Sequence, residues 1–446
     1  MENNKNAGPE IITDLPFPVS YIKNVKIIQR LNNHGTAFIS GLLSKDEKDA
    51  IDTLTTKTPV TIKRIFEDGK ESTLFCGIPC SMKIKNTSGV SEWFLILKSC
   101  SILMDFQKKS NSFQNTDNSY KKLLETIIRA YNGDLFDAAS KGALQKQPLI
   151  QYEETDWEFI KRAASQIKSP VFPDITSRQP RIYLGLPTGT THSDLMINES
   201  LIKTSEDSLY CRFHSTKNYQ IGDTVSDGSL TFSVTEKVIR LRKGVLTVSY
   251  LGQNSKSISK KPENNHRLKG LSITGTVIAI KKDLIKVHLS IDSSQSKSEA
   301  FWFPFSTPYG AEGTAGFYAM PETGENVNLY FPTCDEKNAV IWYANRLDSA
   351  DNSKVHNPSI KRFGTNHGKE MKLSPNQISF TASDSLLMTL HENEGIELKS
   401  HQDIYLKASK RLSSRCQTLE MESQDKIVLA TPSSSIIVDD IVHIKG

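Results

Sequence analysis

Between residues 373 and 446 the chain repeats itself every eight residues, and this period limits what it can fold into more than any other feature. The series from Met388 runs Met388, Ile396, Ile404, Leu412, Glu420, Val428, Ile436 and Ile444. Two residues further on it runs Leu390, Leu398, Leu406, Ser414, Glu422, Ala430, Val438 and Gly446. Apolar residues at i and i+2 share one face of a short strand. The spacers (391–395, 400–403 and 407–411) are polar and turn-like. So short a period predicts a β-solenoid or β-prism. Leu419/Met421 and Ile427/Leu429 sit one residue early. A one-residue slip reverses the inward face, so a bulge or adjusted turn is expected near residues 416–419.

Two inward side chains per octad cannot close a core around one chain. Repeats bury their apolar faces against neighbours, and here the neighbours can be further copies of the chain. Three chains winding together would give an intertwined trimeric β-prism (β-helix) without free edges. The predicted trimer core is Met388, Leu390, Ile396, Leu398, Ile404, Leu406, Leu412, Val428, Ile436, Val438 and Ile444. The competing reading is a run of surface hairpins. Three copies of His443 near the tip could offer imidazoles to an axial metal. With Ile436, Val438 and Ile444 inward, however, His443 points outward, so no metal site is predicted.

The chain has 446 residues, enough for several domains. Apolar residues make up 37% and charged residues 24%, as in a soluble globular protein. A net charge of +5 is only a weak pull toward anionic partners. No apolar run is long enough to span a bilayer. Residues 1–10 lack the apolar core of a secretory signal, so synthesis in the cytoplasm without export by that route is expected. The six cysteines are scattered. Cys76 and Cys80 form a single C-x3-C without a second pair, so reduced, buried thiols are predicted rather than a disulfide framework or a zinc site.

Alternating segments at 25–31, 37–43, 60–66, 74–85 and 92–104 predict antiparallel strands, with a hairpin turn at Gly69. Tyr120, Leu123, Leu124, Ile127, Ile128 and Tyr131 fall at helical spacing, and Gly133 follows as a stop. Thr155 and Glu158 can form a capping box at the head of a second helix, whose inward face carries Trp157, Ile160 and Ala164. Strands resume at 181–186 and 210–251. Residues 1–255 are therefore read as one β-rich region with helical insertions. Residues 256–270 read as a polar linker. Residues 271–347 carry five to six short strands that suit a small Greek-key barrel of the OB type. Residues 348–372 are a second linker, and 373–446 are the octad region.

Several of these stretches resemble the VgrG-like and phage late-control-protein-D-like hub-spike proteins of contractile injection systems. The resemblance runs from about Glu92 onward. Residues 101–114, from Ser101 through Met104 and Phe106 to Gln114, with the helix after them, look like the segment that closes the family's first hub barrel. Gln151-Tyr-Glu-Glu-Thr-Asp-Trp-Glu-Phe-Ile-Lys-Arg162 resembles its hallmark, although Ala163–Ala164 stand where a Leu is common. Phe301-Trp-Phe-Pro304, residues 316–325 and Val327-Asn-Leu-Tyr-Phe-Pro332 resemble its OB domain, and the octads resemble its needle. The resemblance implies two tube-like β-barrels in residues 1–255, arranged as a pseudo-hexameric ring in a homotrimer, an OB-fold collar and a β-helical spike. It implies four kinds of partner: an inner tube or tube-initiator protein, baseplate wedge proteins, a tip-capping (PAAR-like) protein and effector cargo. The particle would be extracellular or delivered across an envelope on firing.

Catalytic, cofactor-binding and metal residues are not predicted. HExxH, P-loop, GxSxG and Rossmann motifs are missing from the sequence. The interval 348–371 is too short for an inserted enzyme domain, which needs ~100 residues, and the chain stops inside the repeat at Gly446. The carboxylates Glu153, Glu154, Asp156 and Glu158 read as helix capping and solvation. Two rival functions remain. A nucleic-acid-binding OB protein would use Lys237, Arg240, Arg242, Lys243, Lys256, Lys260, Lys261, Arg267 and Lys269, but Phe301, Trp302, Phe303 and Phe305 do not make a clear stacking platform, so no nucleic-acid partner is predicted. A polysaccharide-degrading tail spike would need paired carboxylates, and in the last octads Asp439–Asp440 reads as a turn.

Overall fold

The structure is a computed structural model. It describes residues 10–445, apart from 18, 44–57, 67, 89, 194–201, 206–207, 216, 227–229, 310–315, 346–352 and 440–441. The chain divides into two units, Met1–Leu347 and Asp348–Gly446.

Period-two alternation builds the largest element of the first unit. Along Val19–Arg30, Val25 and Ile27 turn inward; along Val90–Ser99, Trp93, Leu95 and Leu97 do the same. These strands belong to a twelve-stranded, curled half-barrel sheet. The two β-rich stretches of the hub are joined within it. Val19–Arg30 pairs antiparallel with Thr231–Arg242, from Asn24 opposite Arg242 to Arg30 opposite Glu236. One core (Phe17, Ile39, Phe75, Trp93) lies on the first half and another (Phe213, Tyr219, Phe232, Tyr250) on the second. The hairpin around Gly69 forms as expected, with Gly69 at φ 79°.

Two helices pack together beside the sheet. Helix α1 (Tyr120–Arg129) is capped by Ser119, whose side chain accepts the Lys122 N–H, and buries Leu123, Leu124, Ile127 and Ile128. The stop differs in detail from the expectation. Asn132 takes the left-handed conformation, at φ 55°. Gly133 is needed for a different reason: a Cβ there would lie 2.3 Å from the Pro180 carbonyl oxygen. Helix α2 (Asp156–Gln166) carries the predicted capping box, with Glu158 N–H donating to Thr155 Oγ1 at 3.1 Å and Thr155 N–H to Glu158 Oε2 at 3.0 Å.

The polar stretch after the hub is tied down. It contains helix α3 (Ser255–Ile258) and a 3-10 turn, His266–Leu268. Leu268 is fully buried in the next core, and Asn265 Nδ2 donates to the Tyr152 carbonyl at 2.8 Å. A five-stranded sheet then follows, made of Ser272–Lys281, Leu284–Leu289, Phe303–Pro304, Asn326–Tyr330 and Val340–Asn345. Its core includes Ile273, Val277, Val287, Leu329 and, from the hub, Ile150.

In the second unit, five strands form an antiparallel meander: Lys361–Gly364, Glu370–Ser374, Gln377–Ser383, Leu386–His391 and Gly395–Ser400. Residues 401–426 carry no strand. A three-stranded meander follows, from Ile427–Ala430 through Ser435–Val438 to Val442–Lys445.

Candidate assembly face and the joint between hub and collar

The register of the five-stranded meander aligns two apolar rows. One row is Phe363, Met371, Phe380, Met388 and Leu398, each opposite the next. The other is Leu373, Ile378, Leu390 and Ile396. In an antiparallel ladder, directly paired residues share a face, so both rows lie on one surface. That surface is bare within the unit: Phe380 is 47% exposed, Leu398 55% and Ile396 70%. A groove of about 570 Å³ runs over it, lined by Phe363, Met371, Phe380, Met388, Leu398 and Ile404 among others.

Of the predicted core positions, Met388, Leu390, Ile396 and Leu398 are brought together here. Ile404, Leu406 and Leu412 lie in the strand-free segment and are exposed. An isolated chain gives an octad with two apolar side chains neither a complete sheet nor a facing layer to hold it extended. In the last meander Ile436 and Val438 share a face, and Ile444 stands opposite Ile436. Val428 is the exception. It pairs with Ile437, while Ile427 and Leu429 stand opposite Val438 and Ile436 and take the shared face. The one-residue early step at Ile427/Leu429 reverses Val428, as the period-two rule requires. The side chains of His443 and Ile444, and Asp440 and Gly446 altogether, lie outside the described residues.

The sequence reading missed Phe363, Met371, Leu373, Ile378 and Phe380. The i, i+2 pairs Met371/Leu373 and Ile378/Phe380 carried the signal; Phe380 lies eight residues before Met388, but Phe363, Met371, Leu373 and Ile378 fall off that phase.

In the first unit a buried ionic joint ties hub to collar. Arg162 on α2 is 3% exposed; its Nε and Nη2 bond to Glu154, and its Nη1 bonds to Oε1 of Glu336 at 2.7 Å. Glu336 sits in a 3-10 turn of the OB region and is 1% exposed. Burial opposes the guanidinium charge, but Glu336 and Glu154 outweigh it and hold the Arg162 pKa above its usual value. Glu154 and Asp156 are thus not solvated, as the sequence suggested. Asp156, 2% exposed, accepts from Lys109 Nζ at 2.5 Å, Tyr131 Oη at 2.7 Å and Gln151 Nε2 at 2.9 Å.

One row of side chains has the types of a hydrolytic triad. His34 Nδ1 lies 2.7 Å from Ser101 Oγ, and Nε2 lies 3.2 Å from Asp105 Oδ2. Ser101 is 1% exposed, and its hydroxyl also contacts Ser99 Oγ at 2.8 Å. Burial lowers the His34 pKa, against the pull of Asp105. With the Thr155–Asp105 bond at 2.5 Å, the row links the turn before Thr36 to the head of α2. It reads as a structural clasp, because a buried hydroxyl without access cannot meet a substrate.

Cys76, Cys100 and Cys211 are buried, whereas Cys80 and Cys416 are exposed and Cys334 is half-buried; the expectation of buried thiols holds for three. In the OB region Phe303 is 1% exposed and so is a core residue, and Lys286 Nζ lies 5.0 Å from the Trp302 ring. Lys237, counted in the basic stretch, is buried, whereas Arg240 and Arg242 are exposed. Alternation along the strand splits the stretch between two faces.

The half-barrel hub, the five-stranded collar and the meandering tail together define the class: the chain has the fold of the hub-spike proteins of contractile injection systems, as the motifs implied. Residues 273–344 match the family described as the type VI secretion system/phage-baseplate injector OB domain. Among solved structures, the chain is similar to the E. coli c3393 protein, described as a type VI secretion component resembling the T4 bacteriophage tail proteins gp27 and gp5. The identity is 12%, the TM-score 0.53, and the match covers 76% of this chain and all of that one. It is also similar to a chain of the lidless Francisella PdpA-VgrG complex, at 9% identity and TM-score 0.53, covering 85% of this chain and 93% of that one. A chain of the half-lidded form of that complex matches at 9% identity and TM-score 0.52, covering 85% and 83%. No curated protein matches the sequence. Among the described residues, no helix is long and apolar enough to cross a membrane.

Proposed function

We propose that the chain is the non-enzymatic, homotrimeric hub-spike at the centre of the baseplate of a contractile injection system. In this reading it connects the inner tube to the tip and punctures the target envelope when the sheath contracts. One observation carries the reading: the second unit holds two aligned rows of exposed apolar side chains and, among the described residues, no layer of its own to cover them. Soluble chains rarely leave such a surface bare. The octad period supplies the cover, because identical copies offer identical rows at the same pitch. The fold shared with VgrG and gp27/gp5-like chains supports the same assignment. The hub would meet an inner tube or tube-initiator protein above and baseplate wedge proteins at its sides. A PAAR-like protein would cap the tip, and effector cargo would travel with it. Made in the cytoplasm, the protein would leave it as part of the fired particle.

The test is the mass in solution. Multi-angle light scattering on the purified full-length protein should give three times the chain mass at micromolar concentration. A monomer under those conditions overturns the reading.

A further inference from the structure

A cavity of about 410 Å³ lies in the first unit, beside the seam that joins the two halves of the hub sheet, and its lining includes Gln29, Phe172, Asp174, Tyr183, Asn218 and Lys237. This size is within the usual range of small-molecule sites. The unusual wall residue is Lys237. It is 6% exposed, and its Nζ donates to Asn218 Oδ1 at 2.6 Å, a neutral acceptor. Among the described residues no carboxylate forms an ion pair with it. Asp223 is near enough to act on it through space, but uses both oxygens elsewhere: Oδ1 accepts the Thr190 N–H at 2.9 Å and Oδ2 the Gln220 N–H at 2.8 Å. Burial pulls the Lys237 pKa down to about 8, and Asp223 pulls weakly the other way. At neutral pH the chain therefore keeps an ammonium at the wall of a cavity without an anion in contact, an arrangement that is costly unless something compensates it.

The rest of the wall mixes polar groups with apolar side chains, among them Leu74, Ile175, Ile221 and Ile239. The Phe172 and Tyr183 rings stack with centroids 4.8 Å apart and planes 7° from parallel. Phe136 stacks on Tyr183 as well, at 5.0 Å and 20°. Tyr183, between Phe172 and Phe136, is thus covered on both faces and meets the cavity at its edge. Asp174, also in the lining, accepts from Thr176 N–H and Oγ1 on its Oδ1. A lysine and a carboxylate in one lining suit a singly charged ligand and work against phosphates.

We propose that this cavity is a binding site for a small monocarboxylate with an apolar body. The carboxylate meets Lys237 Nζ beside Asn218, and the body lies against Leu74, Ile175 and Ile239. The inference does not depend on the spike reading, since every residue used belongs to the hub.

The test is titration calorimetry on the full-length protein at pH 7 with sodium benzoate and sodium 1-naphthoate, with benzamide and inorganic phosphate as controls. The carboxylates should bind once per chain, naphthoate more tightly. Binding should fall at least tenfold in K237M and survive in K237R, and benzamide and phosphate should give no saturable heat. Absence of binding by both carboxylates overturns the proposal, as does equal binding by K237M or by benzamide. Should K237M not fold, the pH profile of the unaltered protein decides. Between pH 7 and 9.5 Lys237 loses its proton, and Tyr183 and Tyr250, both held above their usual pKa by burial, stay neutral. Asp174 lines the cavity, Asp223 lies near Lys237, and His192 Nε2 lies 3.7 Å from Asp223 Oδ2. Affinity should therefore fall as pH rises through 8; affinity unchanged to pH 9.5 overturns the site.

Discussion

The two units use the same strand alternation to opposite ends. In the first, inward positions are closed by the chain itself: Trp93, Leu97, Phe159 and Ile341 are fully buried, and even the charges of Arg162, Glu154 and Glu336 find one another. In the second, the same i, i+2 pattern leaves Phe380, Leu398 and Ile404 about half exposed. A domain that buries little of its own apolar surface is not stable alone. The contrast teaches that the first unit is stabilised within one chain, whereas the second, on the proposed reading, gains its stability from association.

The strongest way to break this contrast is on the bare face. All four tryptophans, Trp93, Trp157, Trp302 and Trp342, lie in the first unit, so their fluorescence reports that unit alone. Phe380→Asp combined with Met388→Asp places two charges in adjacent strands of the row. Light scattering should then find a monomer, while the tryptophan unfolding midpoint of the first unit stays within error. A trimer that survives the double change would show that the face is not the interface. Ile404→Asp alone should give the same loss if the strand-free segment is inside the assembled spike.

A second, smaller effect belongs to the joint. Arg162→Met leaves Glu154 and Glu336 buried without their shared cation and should cost about 3–5 kcal/mol in denaturant unfolding followed by tryptophan fluorescence. Adding Glu154→Gln and Glu336→Gln should recover much of it, and the trimer should persist throughout. The smallest effect is at the cap: Thr155→Ala should cost ~1 kcal/mol, with association unchanged. If either change dissolved the trimer, the division between self-sufficient and associating units would be wrong.

Local features were readable in the residues themselves. The capping box at Thr155 and Glu158, helix α1 and the alternating OB strands depend on side chains a few positions apart, so the sequence displays them directly. The octads were readable for the same reason; the early step at Ile427 and Leu429 was visible too, yet Val428 was still counted with the inward positions, and the pairing turns it to the other face. What escaped depends on distant partners. Glu154 looked solvated because Glu336, which with it encloses Arg162, lies far down the chain. The pairing of Val19–Arg30 with Thr231–Arg242 leaves no local mark on either strand. Phe363, Met371, Leu373 and Ile378 join the apolar rows out of phase with the octads, which a fixed period cannot follow. The Lys237 cavity was concealed by composition, since a buried lysine looks like any other basic residue in a strand rich in them.

The seam between the two halves of the hub sheet also sets an order of events during synthesis. Val19–Arg30 leaves the ribosome early, but its partner ends at Arg242. At ordinary elongation rates the two are separated by roughly 10–40 seconds. For that interval the strand is an open edge, the kind of surface on which chains pair wrongly with one another. Lys23, Lys26 and Arg30, spaced along it, provide the charge that discourages such pairing. Hub closure is thus a late, long-range step, and premature termination before Arg242 would leave a sheet edge ready to aggregate.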